Sequence, residues 1–460
     1  MMRFDGRKRC LGGWNSVSGT SPDAGIRVGL RLVVALSLAV ILLGAGIASG
    51  AYAQAPTVTV MQNWPKGFED RSPEYEDEFW ARAERELGMK IEMIYAVSHS
   101  DFVSKLPVMA ASGSAPDVVL YADLSHYALG LFEPLNTYIE RSGFPIDQFF
   151  PASVDFWTQD GLIYALPTSR NHAVFVYNKD IFSRAGIPDP PAAWGADAGW
   201  TWEYVRELAQ KLTQSSGDTV SVYGIEDTGW VGVWPLYWGA DWADAEGNFT
   251  VAAPQTVQAV QFFVDFYRSG YRGGNLMQGT AAMTNGMSWT VNSYVASGLN
   301  LAFAPTPMGD RHITETWTDG AAILRTSTNK EAAWKFLEWL FQPENAVGFY
   351  TQQWNYLVPM RGIREEWEDQ MRARLGDVIF TSGYASVLFE AGPYGAMTRL
   401  LSDLRFAPLW SNLRSGSADN YLFGQGFWDA LEGTVPVNSW LLEAERLLTN
   451  ALAQAEAQSD

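Results

Sequence analysis

From residue 56 onward the chain alternates short β-rich runs with amphipathic stretches, and the spacing of its apolar positions assigns the elements. "TVTVMQ", from Thr57, predicts a strand. "SPEYEDEFWARAEREL" predicts a helix, with Ser72 as N-cap and Pro73 at the first helical position. "KIEMIYAV" and "PDVVLYA" read as further strands, and "DGLIYALP" as a hairpin arm entered through an Asp160-Gly161 turn. "AVFVYN" is a strand whose last residue, Asn178, caps the helix "KDIFSRAG", which ends on Gly186. In "NKEAAWKFLEWLF", Ala333, Phe336, Leu337, Leu340 and Phe341 recur at helical spacing, so that face is buried. No repeat or low-complexity linker interrupts the alternation.

This order of elements is that of an α/β fold. A chain of 460 residues is too long for one hydrophobic core, so two lobes are expected. Without a linker, the chain must pass between lobes as extended crossings, and "ALPTSRN" and "TETWTDGAA" have the right polar, extended character. Each lobe is then discontinuous: residues 56–168 plus 317–385 form the first, and residues 169–316 plus 386–460 the second. Ligands of such sheets bind beyond the carboxyl ends of the strands, where loops of both lobes converge.

Composition narrows the chemistry. A net charge of −19 argues against nucleic acid, which recruits Lys and Arg clusters. Arg27 and Arg31 precede the apolar run "LVVALSLAVILLGAGIA", and "AYAQA" then supplies small residues for a signal peptidase, so residues 1–55 read as a signal peptide cleaved near Ala53–Ala55. An uncleaved anchor is the competing reading of that run. Residues 1–55 hold six basic and two acidic residues, leaving −23 on the remainder. Cys10, the only cysteine, precedes the apolar run, so residues 56–460 have no disulfide and no thiol site. His99, His126, His172 and His312 lack metal-ligand spacing and read as surface or capping residues; no metal or cofactor is expected.

The ordered motifs add a family. "SAPDVVLYADLSHYALGLFEPLNTYI", "DGLIYALPTSRNHAVFVYNKDIFSRAGI", "PAAW … TWEYVRELAQKL", "GMSWTVNSY" with "LAFAPTPMG", and "STNKEAAWKFLEWLFQPENAVGFY" together resemble the extracellular solute-binding proteins of ABC importers, in their carbohydrate branch. The resemblance spans most of residues 56–460. It implies a two-lobed periplasmic-binding-protein fold of type II, closing about a hinge on a ligand. It also implies a monomer without catalytic residues, located in the periplasm and serving a membrane permease. Members vary in their ligand residues, so the motifs do not name a substrate.

A sugar offers apolar C–H faces and a belt of hydroxyls, which call for aromatic rings and for carboxylates or amides. "GWVGVWPLYWGADWAD" repeats tryptophan at every fourth position. Pro235 fits only the first turn of a helix, so a helix should begin near Trp234 and end at Gly239. Trp230 then lies in the loop before it as the best ligand platform, Trp234 sits at the mouth as the second, and Trp238 and Trp242 fill the core. Trp64 follows the first strand. Tyr121 and Asp123 follow "PDVVL", where Asp123 could accept sugar hydroxyls or cap the next helix. Arg170 and Asn171 lie at the first crossing, Arg170 facing an anionic or sugar ligand or making a salt bridge across the hinge. Trp289 sits in the loop "NGMSWT", and Trp317 and Asp319 at the second crossing; Trp354 and Tyr394 are weaker candidates.

Two rivals stand beside a saccharide. A secreted glycoside hydrolase needs two carboxylates across the scissile bond, and 51 Asp and Glu leave room for a pair, although no nucleophile elbow or phosphate loop is present. A receptor for a polyamine, a polyol phosphate or a peptide would share the fold. Phosphate wants cations at helix N-termini, with only Arg170 and Lys66 on offer; a polyamine would use Asp123, Asp241 and Asp319 with aromatic neighbours.

Overall fold

The protein is described from a computed structural model, covering residues 55–68, 72–195, 199–217, 219–409 and 422–459. Residues 1–54 of the expected signal peptide lie outside the described residues. None of the described helices is long and apolar enough to cross a membrane.

Two five-stranded sheets organise the chain. In the first, the order is Lys90–Tyr95, Thr57–Gln62, Val118–Val119, Gly320–Ile323, Leu166–Pro167. The first three strands run parallel, and Gly320–Ile323 runs antiparallel to both of its neighbours. In the second, Asn171–Asn178 is the organising strand. It pairs antiparallel with Met283–Met287, Leu301–Ala304 and Thr314–Trp317, and Gly395–Ala396 adds a parallel edge.

Alternation decides which core each strand feeds. Val174 and Val176 enter the core that runs along one face of both sheets, whereas Phe175 and Tyr177 enter a second core beneath the helices of the second sheet. Met61 and Val119 face a third, smaller core with Phe102, Phe132 and Trp157. Helices cover the faces and start where the sequence caps them: Ser72 Oγ accepts from the Tyr75 amide at 3.1 Å, and Asn178 Oδ1 from those of Asp180 and Ile181. The helix Lys330–Leu340 buries Ala333, Phe336, Leu337 and Leu340 as its spacing requires.

The sheets communicate through two short crossings. Thr168, Ser169 and Arg170 lead from the first sheet into the second, and Thr318 and Asp319 lead back. The crossings are tied to each other: Ser169 Oγ donates to Asp319 Oδ2 at 2.8 Å, and the Asp319 amide donates to Ser169 Oγ at 3.0 Å. Gly320 must be glycine, because a Cβ there would lie 2.8 Å from Ala165 Cβ and Trp157 Nε1. Further out, the helix Leu124–Ala128 lies against the 3-10 turn Leu404–Leu409, with Leu124 and Tyr127 packed on the second core.

Candidate functional site

The parallel strands of the first sheet all end on one edge, and the loops that leave them carry a connected polar and aromatic set. Trp64 stacks on Phe68 with centroids 4.3 Å apart and lies 6.3 Å from His99. His99 meets the Tyr121 ring edge-on at 5.2 Å, and its Nε2 stands 3.6 Å from Asp123 Oδ2. Asp123 does cap the next helix: its carboxylate accepts the Ser125 amide at 2.8 Å and the Ser125 hydroxyl.

Asp319 links this set to the hinge. Its buried carboxyl accepts from Ser169, Tyr121 and Tyr356; burial pushes its pKa up, and those hydrogen bonds oppose the shift.

The second half of the site grows from the Thr314–Trp317 strand and the loop before residue 231. Trp317 pairs with Asn171 in the ladder, so the two side chains share a face. Trp230 stands 5.9 Å from Trp317 and 5.6 Å from Phe423, which makes an aromatic corner. Its loop is pinned by Asn285, whose amide nitrogen donates to the Thr228 carbonyl at 3.3 Å. The ring folds back over Gly232, where a Cβ would lie 2.2 Å from its Cη2 atom. Gly232→Ala is therefore expected to unseat Trp230, shifting tryptophan emission and weakening ligand binding several-fold. A variant with parental emission would show that the ring is not held there.

Beside Trp317 on the same strand lies Glu315, one of the buried carboxyls. The Trp317 Nε1–H donates to Glu315 Oε1 at 2.6 Å, and burial pushes the carboxyl up to about 7. An acid whose folded pKa exceeds its unfolded one contributes stability below the unfolded value, near 4.5, and loses it as pH rises through about 7.

Several buried polar atoms near these strand ends have no hydrogen-bond partner among the described residues. They include Gln62 Oε1, Asn63 Oδ1, both side-chain polar atoms of Asn171, Thr228 Oγ1 and Asn285 Oδ1. Buried amides of this kind are costly when unpaired, and a hydroxyl-rich ligand could pair them. Among the side chains named in either half there is no lysine or arginine.

The structure also moves some expected residues elsewhere. Trp234 is not at the mouth but fully buried, 4.7 Å from Trp202 and 5.2 Å from Phe263. A short helix does begin at Trp234, with Pro235 in its first turn, but it ends at Tyr237 rather than Gly239, and Trp230 lies before it, ahead of a 3-10 turn over Val231–Val233. Trp238 and Trp242 are buried in the same core.

Arg170 packs over Phe150 at 4.3 Å and beside Gly392, without an ion pair among the described residues, and burial lowers its pKa to about 10. It joins neither aromatic half. Trp289 is exposed and stacks on no other ring among the described residues. Trp354 is buried, and Tyr394 stacks on Trp194 at 4.7 Å.

Two of the histidines, expected at the surface or as caps, lie inside instead. His126 and His172 are fully buried, the latter with Nδ1 2.7 Å from Thr316 Oγ1. His99 belongs to the site. Sequence reasoning also passed over Phe68, Tyr356, Phe423 and Glu315. Only Glu315 had a readable signal: two residues from Trp317 on a strand, it must share its face.

No group of His, Cys, Asp or Glu among the described residues is arranged to hold a metal ion. Known proteins supply the comparison. The description "Bacterial extracellular solute-binding protein" matches residues 69–347. A maltotriose-binding protein of Pyrococcus abyssi is 25% identical over 292 residues, 57% of this chain and 58% of its own length.

Among solved structures, an ABC substrate-binding protein of Listeria monocytogenes in complex with cycloalternan superposes with a TM-score of 0.71 at 19% identity, covering 87% of this chain and all of the other. UgpB of Mycobacterium tuberculosis in complex with glycerophosphocholine gives 0.70 at 17% identity, covering 88% of this chain and all of the other. The fold is that of the type II periplasmic binding proteins. With its two crossed sheets and with the family description matching over more than half its length, the chain belongs to the bacterial extracellular solute-binding protein family.

Proposed function

We propose that this protein is the exported receptor of an ABC importer, capturing a sugar or oligosaccharide between its lobes and handing it to a membrane permease without altering it. The lobes are residues 56–168 plus 317–385 and 169–316 plus 386–460, and residues 1–55 are removed on export to the periplasm. The receptor acts as a monomer. The observation that carries this reading is the pairing of half-buried aromatic rings with acceptors: Trp64 and Tyr121 in the first half, Trp230 and Trp317 in the second, with Asn171 and Asn285 on neighbouring strands. The maltotriose-binding relative and the cycloalternan complex support it.

Capture is a hinge equilibrium, in which ligand stabilises the closed form by its extra affinity for that form. The tie between Ser169 and Asp319 supports a hinge at the paired crossings. A polyamine fits less well, because Asp123, Asp241 and Asp319 are already engaged by Ser125, Thr398 and Ser169. The glycerophosphocholine complex raises a polyol phosphate, but of the two cations on offer Arg170 sits against Phe150 and Lys66 is paired with Asp77.

Thermal unfolding of residues 56–460, a compact unit in themselves, against a panel of sugars, polyols, polyol phosphates and polyamines tests the proposal. Ligand at about a hundred times its Kd is expected to stabilise the fold by about 2.7 kcal/mol. A shift with saccharides that are recovered intact supports the reading. A response confined to polyamines or phosphates, or cleavage of the sugar, overturns it.

A further inference from the structure

We propose that Glu315 is a positioning residue of the ligand site, fixing the indole plane of Trp317 and making ligand affinity depend on pH. The inference rests on the saccharide-receptor reading, which makes the Trp230–Trp317 corner a binding surface.

Among the described residues, the geometry singles out Glu315 as the buried acid whose hydrogen-bond partner is an indole of that corner. Glu315 and Trp317 alternate on the Thr314–Trp317 strand and so lie on one face, with Thr316 turned the other way onto His172. The indole N–H is spent on the carboxylate at 2.6 Å, so the Trp317 ring is held by a charge-assisted bond while part of it remains accessible. A carboxylate buried to this degree has no value as ordinary core packing, where an apolar side chain would serve at lower cost. Its presence is explained if the orientation of Trp317 matters more than that cost.

The surroundings favour proton uptake near neutrality. Besides desolvation, Asp227 in the loop before Trp230 opposes ionisation of Glu315, although Arg272 stands 3.4 Å from that aspartate. From the Trp234–Tyr237 helix the buried Tyr237 phenol faces Glu315, and the carboxylate helps hold that phenol in its neutral form. The flanking strand partner, Ala396, brings no charge. The Trp317 N–H is the contact that favours the charged form. On this arrangement the carboxylate grips Trp317 above about pH 7, and its neutral form grips it more weakly below.

The test uses residues 56–460 carrying 5-fluorotryptophan, with the Trp317 fluorine resonance assigned by its loss in Trp317→Phe. Without ligand, that resonance is expected to titrate with a midpoint near 7 in the parent chain and to be flat in Glu315→Gln. With a saccharide found by the thermal panel, the parent's Kd is expected to rise about three- to tenfold from pH 8 to pH 6. In Glu315→Gln it should not change with pH.

Stability gives a third readout. A purely structural acceptor would destabilise the fold at every pH when replaced; a functional acid held against desolvation should unfold later as Gln at pH 8 and no later at pH 5. A Trp317 resonance flat in the parent, or a parental pH profile in Glu315→Gln, overturns the proposal. Should that variant not fold, the parent's own resonance still decides. A panel that yields no saccharide removes the receptor reading instead, and the ligand-free titration separates that failure from this one.

Discussion

Replacing Trp230 by alanine is expected to weaken saccharide binding tenfold or more while leaving the protein folded. Tenfold is about 1.4 kcal/mol, a modest demand on an aromatic ring that can cover one face of a sugar. The ring is half-buried, tilted between Trp317 and Phe423 and resting on Gly232, so it is already oriented and loses little entropy on binding. Its exposed area is also what makes its removal tolerable to the fold. Isothermal titration of Trp230→Ala and Trp230→Phe checks this, with the phenylalanine recovering part of the affinity. Parental affinity in the alanine variant would remove Trp230 from the site.

Four residues along, the opposite outcome is expected. Trp234→Ala should destabilise the fold by about 3–5 kcal/mol, because it empties a site enclosed on all sides by Trp202, Tyr237, Trp238, Phe262 and Phe263. At about 2.1 cal/mol/K of unfolding entropy per residue, that corresponds to a fall of roughly 4–6 °C in Tm. Affinity per folded molecule should hold. Calorimetry that finds the parental Tm would mean that the cavity collapses or that the indole is not packed as described.

The contrast explains what the sequence could and could not disclose. The strands, the capped helices and the family motifs were legible because each is written in consecutive residues: Ser72 beside Pro73, Asn178 before Lys179, apolar positions at fixed periods. The fate of Trp234 was not. Its place at the helix start beside the Trp230 loop suggested the mouth of the site, and the extended backbone at Trp230 (ψ 129°), followed by a 3-10 turn, accompanies the turning of Trp234 into the core.

The polar partners were less legible still. Tyr356 reaches Asp319, and His99 reaches Asp123, through chain separations that no local pattern records. Buried histidines likewise depend on tertiary neighbours, as His172 does on Thr316. Arg170 stood at the correct crossing but turned to Phe150, a residue with no sequence relation to it.

The strand order of the first sheet bears on how the chain is made. Gly320–Ile323 lies between Val118–Val119 and Leu166–Pro167, so Leu166–Pro167 has no neighbour in that sheet until Ile323 has left the ribosome. That is roughly 150 residues after Pro167, or ~8–30 s at about 5–20 residues per second. The amino-terminal strands therefore cannot complete their sheet until Gly320–Ile323 has been made. A nascent chain with this topology exposes the edge of Val118–Val119 and the whole of Leu166–Pro167 over that interval.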